Sequence, residues 1–340
     1  MPWPAEPARL AARRQSPPIQ PQKSEGEATA GSRRKCSTAI AHEALARKCR
    51  AAVKVACPAL EKAPRIGQLA DERAMTAPTL RRLCQDKAYK FGHFVVEFAT
   101  PGIGHILKGA GCDFVLFDTE HSGFSTDIVK SCVRYFEAAE LPAIFRVPSK
   151  SYHHLARYAD MGAEGIMVPL VNDAREAQEL VSYVKYYPDG ERGVGVGLAH
   201  DNYTGGAVAE KLQRLNERNC LFVQIETAAG ADNAEDIAAV AGVDCLWIGH
   251  FDLSCSLGIP GEFTHRKFTA AVERVTAAAK RHGKALGRLV TDLDSGLDCA
   301  GRGFDFLAWQ GDVWALQASV RKGIEDLKAG IAERCLPAPD

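Results

Sequence analysis

From about His93 onward, eight short runs of β-branched, aliphatic and aromatic residues alternate with longer amphipathic segments. The runs are Phe94 to Phe98, Phe114 to Asp118, Ala143 to Val147, Gly165 to Val168, Leu221 to Ile225, Cys245 to Ile248, Ala285 to Leu289 and Phe306 to Trp309. Helical segments such as Tyr152 to Asp160, Ala174 to Tyr186, Ala234 to Val240 and Lys267 to His282 lie between them, each ending near a glycine-containing turn. This is the pattern of repeated βα units, in which right-handed crossovers make successive strands parallel. Eight parallel strands in about 220 residues argue for an α/β fold closed as a (β/α)8 TIM barrel rather than an open doubly wound sheet.

A barrel does its chemistry at the C-terminal ends of its strands. Those ends carry Asp118-Thr119-Glu120-His121, Arg146, Glu226, His250-Phe251-Asp252 and Gln310-Gly311-Asp312, whereas the starts are mostly Gly, Ala, Val and Cys. Glu226 and Asp252 close consecutive strands with one helix-length segment between them, so both acids emerge on one face. Two carboxylates with open positions suit a hard divalent cation that keeps waters or takes substrate oxygens. The competing reading is that each acid caps the helix after it, which explains either one but not the matched pair. No run ends in lysine, since Lys90 and Lys284 precede their strands and Lys150 lies in a loop, so Schiff-base chemistry is not expected. The cluster Gly193-Val194-Gly195-Val196-Gly197 lacks dinucleotide-loop spacing and reads instead as an active-site loop within a long connection. Near the C-terminus, Val313, Leu316, Val320, Ile324, Leu327 and Ile331 form one helical stripe that suits either its own barrel or that of a neighbouring subunit.

Lys plus Arg equals Asp plus Glu at 42 each, so the balance calls for no nucleic acid, acidic partner or membrane surface. No apolar run reaches the roughly 18 residues of a membrane span. The eleven cysteines include no CxxC pair, which fits a reduced, cytoplasmic protein. Residues 1–74 differ from the rest: Met1 to Arg50 carries ten Lys/Arg against four Asp/Glu without a steady hydrophobic period. They are expected to form a disordered or dispensable extension, ahead of a transit peptide or a nucleic-acid-binding tail, with the barrel domain over 75–335.

Six ordered motifs resemble one family. They are Phe117-Asp118-Thr119-Glu120-His121, Phe145-Arg146-Val147-Pro148, the run from Gly162 to Pro169, Arg192-Gly193-Val194-Gly195, Val223-Gln224-Ile225-Glu226-Thr227 and the run from Ile248 to Ser254. Together they are similar to the HpcH/HpaI-type class II pyruvate aldolases, the group that includes 4-hydroxy-2-oxoheptanedioate and 2-keto-3-deoxy sugar acid aldolases. The resemblance implies a phosphoenolpyruvate/pyruvate-domain-like barrel and a divalent metal cofactor, Mg2+, Mn2+ or Co2+. It also implies small-molecule 2-oxo acid and aldehyde substrates and a homo-oligomer built from dimers, as large as a hexamer. By the same resemblance Glu226 and Asp252 match metal ligands, Arg146 the group that holds the keto oxygen and enolate, His121 the general base with Asp118 beside it, and Gln224 a substrate contact. Phe251 is expected beside the substrate with Asp252. Asp160 matches an aspartate paired with the catalytic histidine. It ends a helix leading into the fourth strand, so in that role it would come from a neighbouring subunit. Two departures stand out: Gly249-His250-Phe251 where relatives carry Gly-Pro-Ala or Gly-Thr-Asn, and Glu97 at the end of the first run. The expected activity is reversible cleavage of a 4-hydroxy-2-oxo acid to pyruvate, or a related 2-oxo acid, and an aldehyde. Oxaloacetate decarboxylation, a citryl or malyl thioester lyase, and a non-catalytic binding barrel are the alternatives.

Overall fold

Eight parallel strands pair in sequence order and β8 returns to β1, closing the barrel. The computed structural model describes residues 79–336, so the expected extension over 1–74 lies outside the described residues. The chain enters through α1 (Leu80–Gln85), then runs β1 (Lys90–Val95), α2 (Ile103–Gly109), β2 (Phe114–Asp118), α3 (Thr126–Ala138), β3 (Ala143–Arg146), α4 (Tyr152–Asp160) and β4 (Gly165–Val168). Helices α5 (Ala174–Val184) and α6 (Val208–Arg218) lead to β5 (Cys220–Ile225), and α7 (Ala228–Asp232) and α8 (Ala234–Ala239) to β6 (Val243–Ile248). The circuit ends with α9 (His250–Ser256), α10 (Arg266–Arg281), β7 (Ala285–Val290), α11 (Leu293–Arg302), β8 (Phe306–Gly311) and α12 (Asp312–Glu333).

Seven of the strands lie where the apolar runs predict them, within two residues at each end. The exception is β1, which spans Lys90–Val95 rather than Phe94 to Phe98. Its start is masked because the usual pattern is inverted there: Lys90 is buried and Phe91 is 53% exposed. Lys90 Nζ is held by Asp305 Oδ2 at 2.8 Å and by the Asp86 carbonyl at 2.7 Å, and lies 4.8 Å from the Phe306 ring centre. Beyond Val95 the backbone leaves the sheet. The amides of Val96, Glu97 and Phe98 donate to the Asp312 carboxylate at 2.8–3.2 Å, so Glu97 belongs to a loop and not to a strand end.

Two apolar layers follow from strand alternation. Phe94, Phe114, Leu116, Met167, Phe222, Trp247 and Phe306 point inward, with Leu80 of α1 joining them from the N-terminal end. Phe114 and Phe306 lie 5.0 Å apart and Phe222 and Phe306 5.7 Å apart, centre to centre, so the barrel is filled with side chains. Gly287 on β7 leaves room for the Trp247 ring, which a Cβ there would strike. The outward strand residues and the inner helix faces form the second layer. The stripe predicted near the C-terminus is different. Leu316, Val320, Ile324, Leu327 and Ile331 on α12 are 43–66% exposed, and only the first turn of α12 engages the chain's own barrel, where Trp314 stacks on Phe94 at 6.5 Å.

The buried Lys90–Asp305 pair gives a stability test. Lys90→Met strands Asp305, which is expected to cost about 3–5 kcal/mol in urea unfolding. Lys90→Met with Asp305→Asn, which removes the charge but keeps an acceptor for the Leu286 amide, is expected to regain part of that loss, and full stability of the single variant would contradict the assignment.

Candidate active site at the barrel mouth

The C-terminal ends of β2, β3, β5 and β6 deliver most of the polar side chains singled out by the sequence. A cavity of about 260 Å³ opens there, with His121, Arg146, Gln224, Phe251 and Asp252 in its wall. Its apolar side includes Phe94, Trp247 and Leu289, together with Trp314 from α12.

Arg146 is the most firmly held group. Its Nε donates to Asp118 Oδ1 at 2.7 Å and its Nη1 lies 3.1 Å from Glu120 Oε2, while the guanidinium packs 5.2 Å from the Phe94 ring centre. Asp118 is fully buried and also accepts the backbone N–H groups of Glu120 and His121, each at 3.0 Å. The carboxylate therefore fixes both the arginine and the turn that carries His121. Thr119 donates its hydroxyl to the Arg146 carbonyl at 2.6 Å and accepts from the Tyr158 hydroxyl at 3.0 Å, which ties β2 to β3 at this end. The His121 ring stands at the exposed rim of the cavity, and Glu120 Oε2 lies 3.7 Å from its Nε2. Glu120 was not among the predicted site residues. Its signal was present in the Asp118-x-Glu120-His121 spacing, which lets a turn organised by Asp118 bring a second acid to the arginine.

The helix-capping reading fails for both members of the acid pair. Thr227, not Glu226, caps α7, its hydroxyl accepting the Gly230 amide at 2.9 Å. Glu226 is buried, takes the Leu170 amide on Oε1 at 2.7 Å and the Gln224 side-chain amide on Oε2. A side chain at Gly249 would collide with that carboxylate, so glycine is required beside Asp252. Helix α9 has no side-chain cap, and among the described residues the exposed Asp252 carboxylate has no hydrogen-bond partner.

Burial lifts the Glu226 carboxyl from its ordinary value of 4.5 to about 7, against the Gln224 and Leu170 hydrogen bonds; Glu120 and Asp252 add to the rise through like charge. Burial likewise raises Glu120, partly offset by Arg146. A buried oxygen on Gln224 lacks a hydrogen-bond partner, and the buried Glu120 Oε2 has ion-pair contacts but no hydrogen bond, so neither of these oxygens is fully matched. Crowded carboxylates and unmatched oxygens are a donor set suited to a hard cation. Among the described residues no three His, Cys, Asp or Glu side chains form a ready-made cage, so a cation here would complete its shell with water or substrate oxygens.

Asp160 and the glycine cluster lie outside the mouth of their own chain, as expected for Asp160 but not for the cluster. Asp160, at the end of α4, is paired with Arg192 at 2.5 Å and lines no part of the mouth cavity. The glycine cluster 193–197, expected as an active-site loop, also stays out of the cavity of its own chain; Gly193 donates its amide to the Tyr152 hydroxyl on α4 at 2.8 Å. His250 is buried with its ring 4.3 Å from Phe251 and 5.1 Å from Phe263. Burial, aided by Arg288, depresses its pKa to about 3. It is a neutral wall residue behind Phe251.

Comparison with known proteins identifies relatives of this barrel. The family model described as HpcH/HpaI aldolase/citrate lyase matches residues 91–317. A hydroxypyruvate/pyruvate aldolase of Paraburkholderia phytofirmans is 36% identical over 230 residues, 66% of this chain and 87% of that protein. A 5-keto-4-deoxy-D-glucarate aldolase of Klebsiella pneumoniae is 32% identical over 191 residues, 56% of this chain and 74% of that protein. The crystal structure of an HpcH/HpaI aldolase from Desulfitobacterium hafniense superposes with a TM-score of 0.69 at 32% identity, over 74% of this chain and 96% of the other.

The raised Glu226 carboxyl has a measurable consequence in metal-free protein. Because its folded pKa lies above the unfolded value, the stability it contributes is complete below about pH 4.5 and is lost as pH rises through about 7. The total is about 3 kcal/mol. Glu226→Gln is expected to remove this slope from urea unfolding measured between pH 5 and pH 8, and an identical slope in the variant would contradict the assignment.

Proposed function

Because this chain belongs to the HpcH/HpaI aldolase/citrate lyase family, we propose that it is a carbon–carbon lyase that reversibly cleaves a 4-hydroxy-2-oxo acid to pyruvate, or a related 2-oxo acid, and an aldehyde. The observation that carries this reading is Arg146, clamped by Asp118 and Glu120 in the wall of the cavity that also takes in Gln224 and Asp252. That cavity offers fixed positive charge where a carboxylate and a developing oxyanion can sit.

Glu226 and Asp252 would hold a divalent cation, Mg2+, Mn2+ or Co2+. When bound, such a cation supplies Lewis-acid polarisation of the 2-keto oxygen. The chain's own residues account for the remaining steps. Arg146 and Gln224 bind and orient the 2-oxo acid. Arg146, already rigid through its bonds to Asp118, needs little reorganisation as charge grows on the keto oxygen. His121 takes the proton from the C4 hydroxyl. The C3–C4 bond then breaks, its electron pair passes into the pyruvate enolate, and C4 leaves as the aldehyde carbonyl. Protonation at C3 completes pyruvate. Phe251, next to Asp252 and more than half exposed, would contact the aldehyde half.

A homo-oligomer built from dimers is part of the proposal. It is supported by the uncovered apolar stripe of α12, which a second copy would bury. Asp160 would then serve a neighbouring subunit's His121, consistent with its distance from the cavity of its own chain. No helix among the described residues is long and apolar enough to cross a membrane.

Pyruvate release from a panel of 4-hydroxy-2-oxo acids tests the reading. Chelation of divalent cations and Glu226→Ala are each expected to abolish turnover, and Arg146→Ala is expected to lower kcat by about 10²–10³-fold. Full turnover after chelation would contradict the proposal. His121→Ala and Asp160→Ala proteins, each inactive alone, are expected to regain activity when mixed; no recovery would remove Asp160 from the shared site.

A further inference from the structure

Arg288 is a buried cation that the reaction above does not use. It lies on β7, where Leu286, Arg288 and Val290 alternate with Gly287 and Leu289, and it faces the layer between the barrel and its helices. The residue is 9% exposed. Its Nε has no hydrogen-bond partner, its Nη1 meets only Cys299 Sγ at 3.8 Å, and among the described residues no carboxylate lies within ion-pairing distance. The rings of Phe268 and Phe263 stand 5.6 and 6.0 Å from the guanidinium carbon. Aromatic faces and a thiol recover only part of what a desolvated guanidinium loses in hydration.

Arg288 also borders a cavity of about 300 Å³ that shares His250, Phe251 and Leu289 with the mouth. The hydroxyl-bearing residues Thr264, Thr291 and Ser295 line its other side. Asp292, Asp294 and Asp298 also line it, and two of these aspartates are committed. Asp292 caps α11 through the Ser295 amide at 2.8 Å, and Asp298 binds Arg302 Nε at 2.8 Å; Asp294 is solvent-exposed. None of them satisfies the arginine. A guanidinium with free donors in a pocket of this size matches the planar fork of a carboxylate or phosphate.

We propose that this cavity is an oxyanion subsite, with Arg288 as its anchor, which takes a carboxylate or phosphate group carried either on the far end of the aldehyde substrate or on a free anion. The substrate-borne source rests on the aldolase reading; the free-anion source does not. Phe251, with His250 and Leu289, lines both cavities.

The test has two arms. In the first, metal-free protein is titrated calorimetrically with inorganic phosphate at constant ionic strength. Wild type is expected to bind, and Arg288→Met to bind at least about tenfold more weakly. In the second, kcat/KM for pyruvate addition to 4-oxobutanoate is divided by that for addition to butanal. Arg288→Met is expected to lower this ratio about 30-fold if the anion belongs to the substrate. Loss of phosphate binding with an unchanged ratio assigns the site to a free anion. Should Arg288→Met fail to fold, Arg288→Lys, which keeps the charge but not the fork, carries the same comparisons. Phosphate binding and ratio both equal to wild type would overturn the proposal. Absence of turnover with both aldehydes in wild type would count against the aldolase reading alone, because the phosphate arm does not depend on catalysis.

Discussion

Negative charge crowded into a partly dry barrel mouth is the constraint on which the rest of the site depends. Glu226 is buried within electrostatic reach of Glu120 and Asp252, and Arg146, a cation in the wall of the same mouth, is already engaged by Asp118 and Glu120. Desolvation and mutual repulsion leave the Glu226 carboxyl near neutrality in its titration, a poor resting state for a purely structural acid. A divalent cation held by Glu226 and Asp252 would relieve that repulsion by supplying positive charge.

The neighbouring packing makes sense as support for this arrangement. The Leu170 amide and Gln224 aim Glu226, and Gly249 gives it room. Asp118 reads out two backbone amides as well as the arginine, so the position of His121 and the direction of Arg146 are set by one carboxylate. At the far side of the mouth, Asp312 gathers the amides of Val96 to Phe98 and brings Trp314 over Phe94. Each device spends a buried polar group on orientation, and Gln224 keeps one buried oxygen without a partner.

Much of this was legible in the sequence, because strand periodicity and strand-end chemistry are local signals. Runs such as Phe114 to Asp118 and Gly165 to Val168 are apolar on both faces, as parallel barrel strands are, and their ends place Asp118 and, by the same logic, Glu226. The start of β1 was not legible, since Lys90 is buried by a partner 215 residues away that no window can see. The strand pattern gives Glu120 no role of its own, because it lies past the strand, in a turn whose shape depends on Asp118. The 193–197 cluster carries glycine without carrying its direction, and only tertiary packing on α4 shows that it leaves the mouth of its own chain. Arg288 did carry a signal: a cation between Leu286 and Val290 on the outward face of a strand interrupts an otherwise apolar row.

Whether the Glu226 and Asp252 pair holds a divalent cation can be measured by titrating metal-free protein with Mn2+, followed by electron paramagnetic resonance with simultaneous measurement of proton release. The account predicts one site per chain, lost in Glu226→Gln, with roughly half a proton released per ion bound at pH 7, as expected for a carboxyl that titrates near that pH. Undiminished binding in Glu226→Gln, or no binding in wild type, would contradict it.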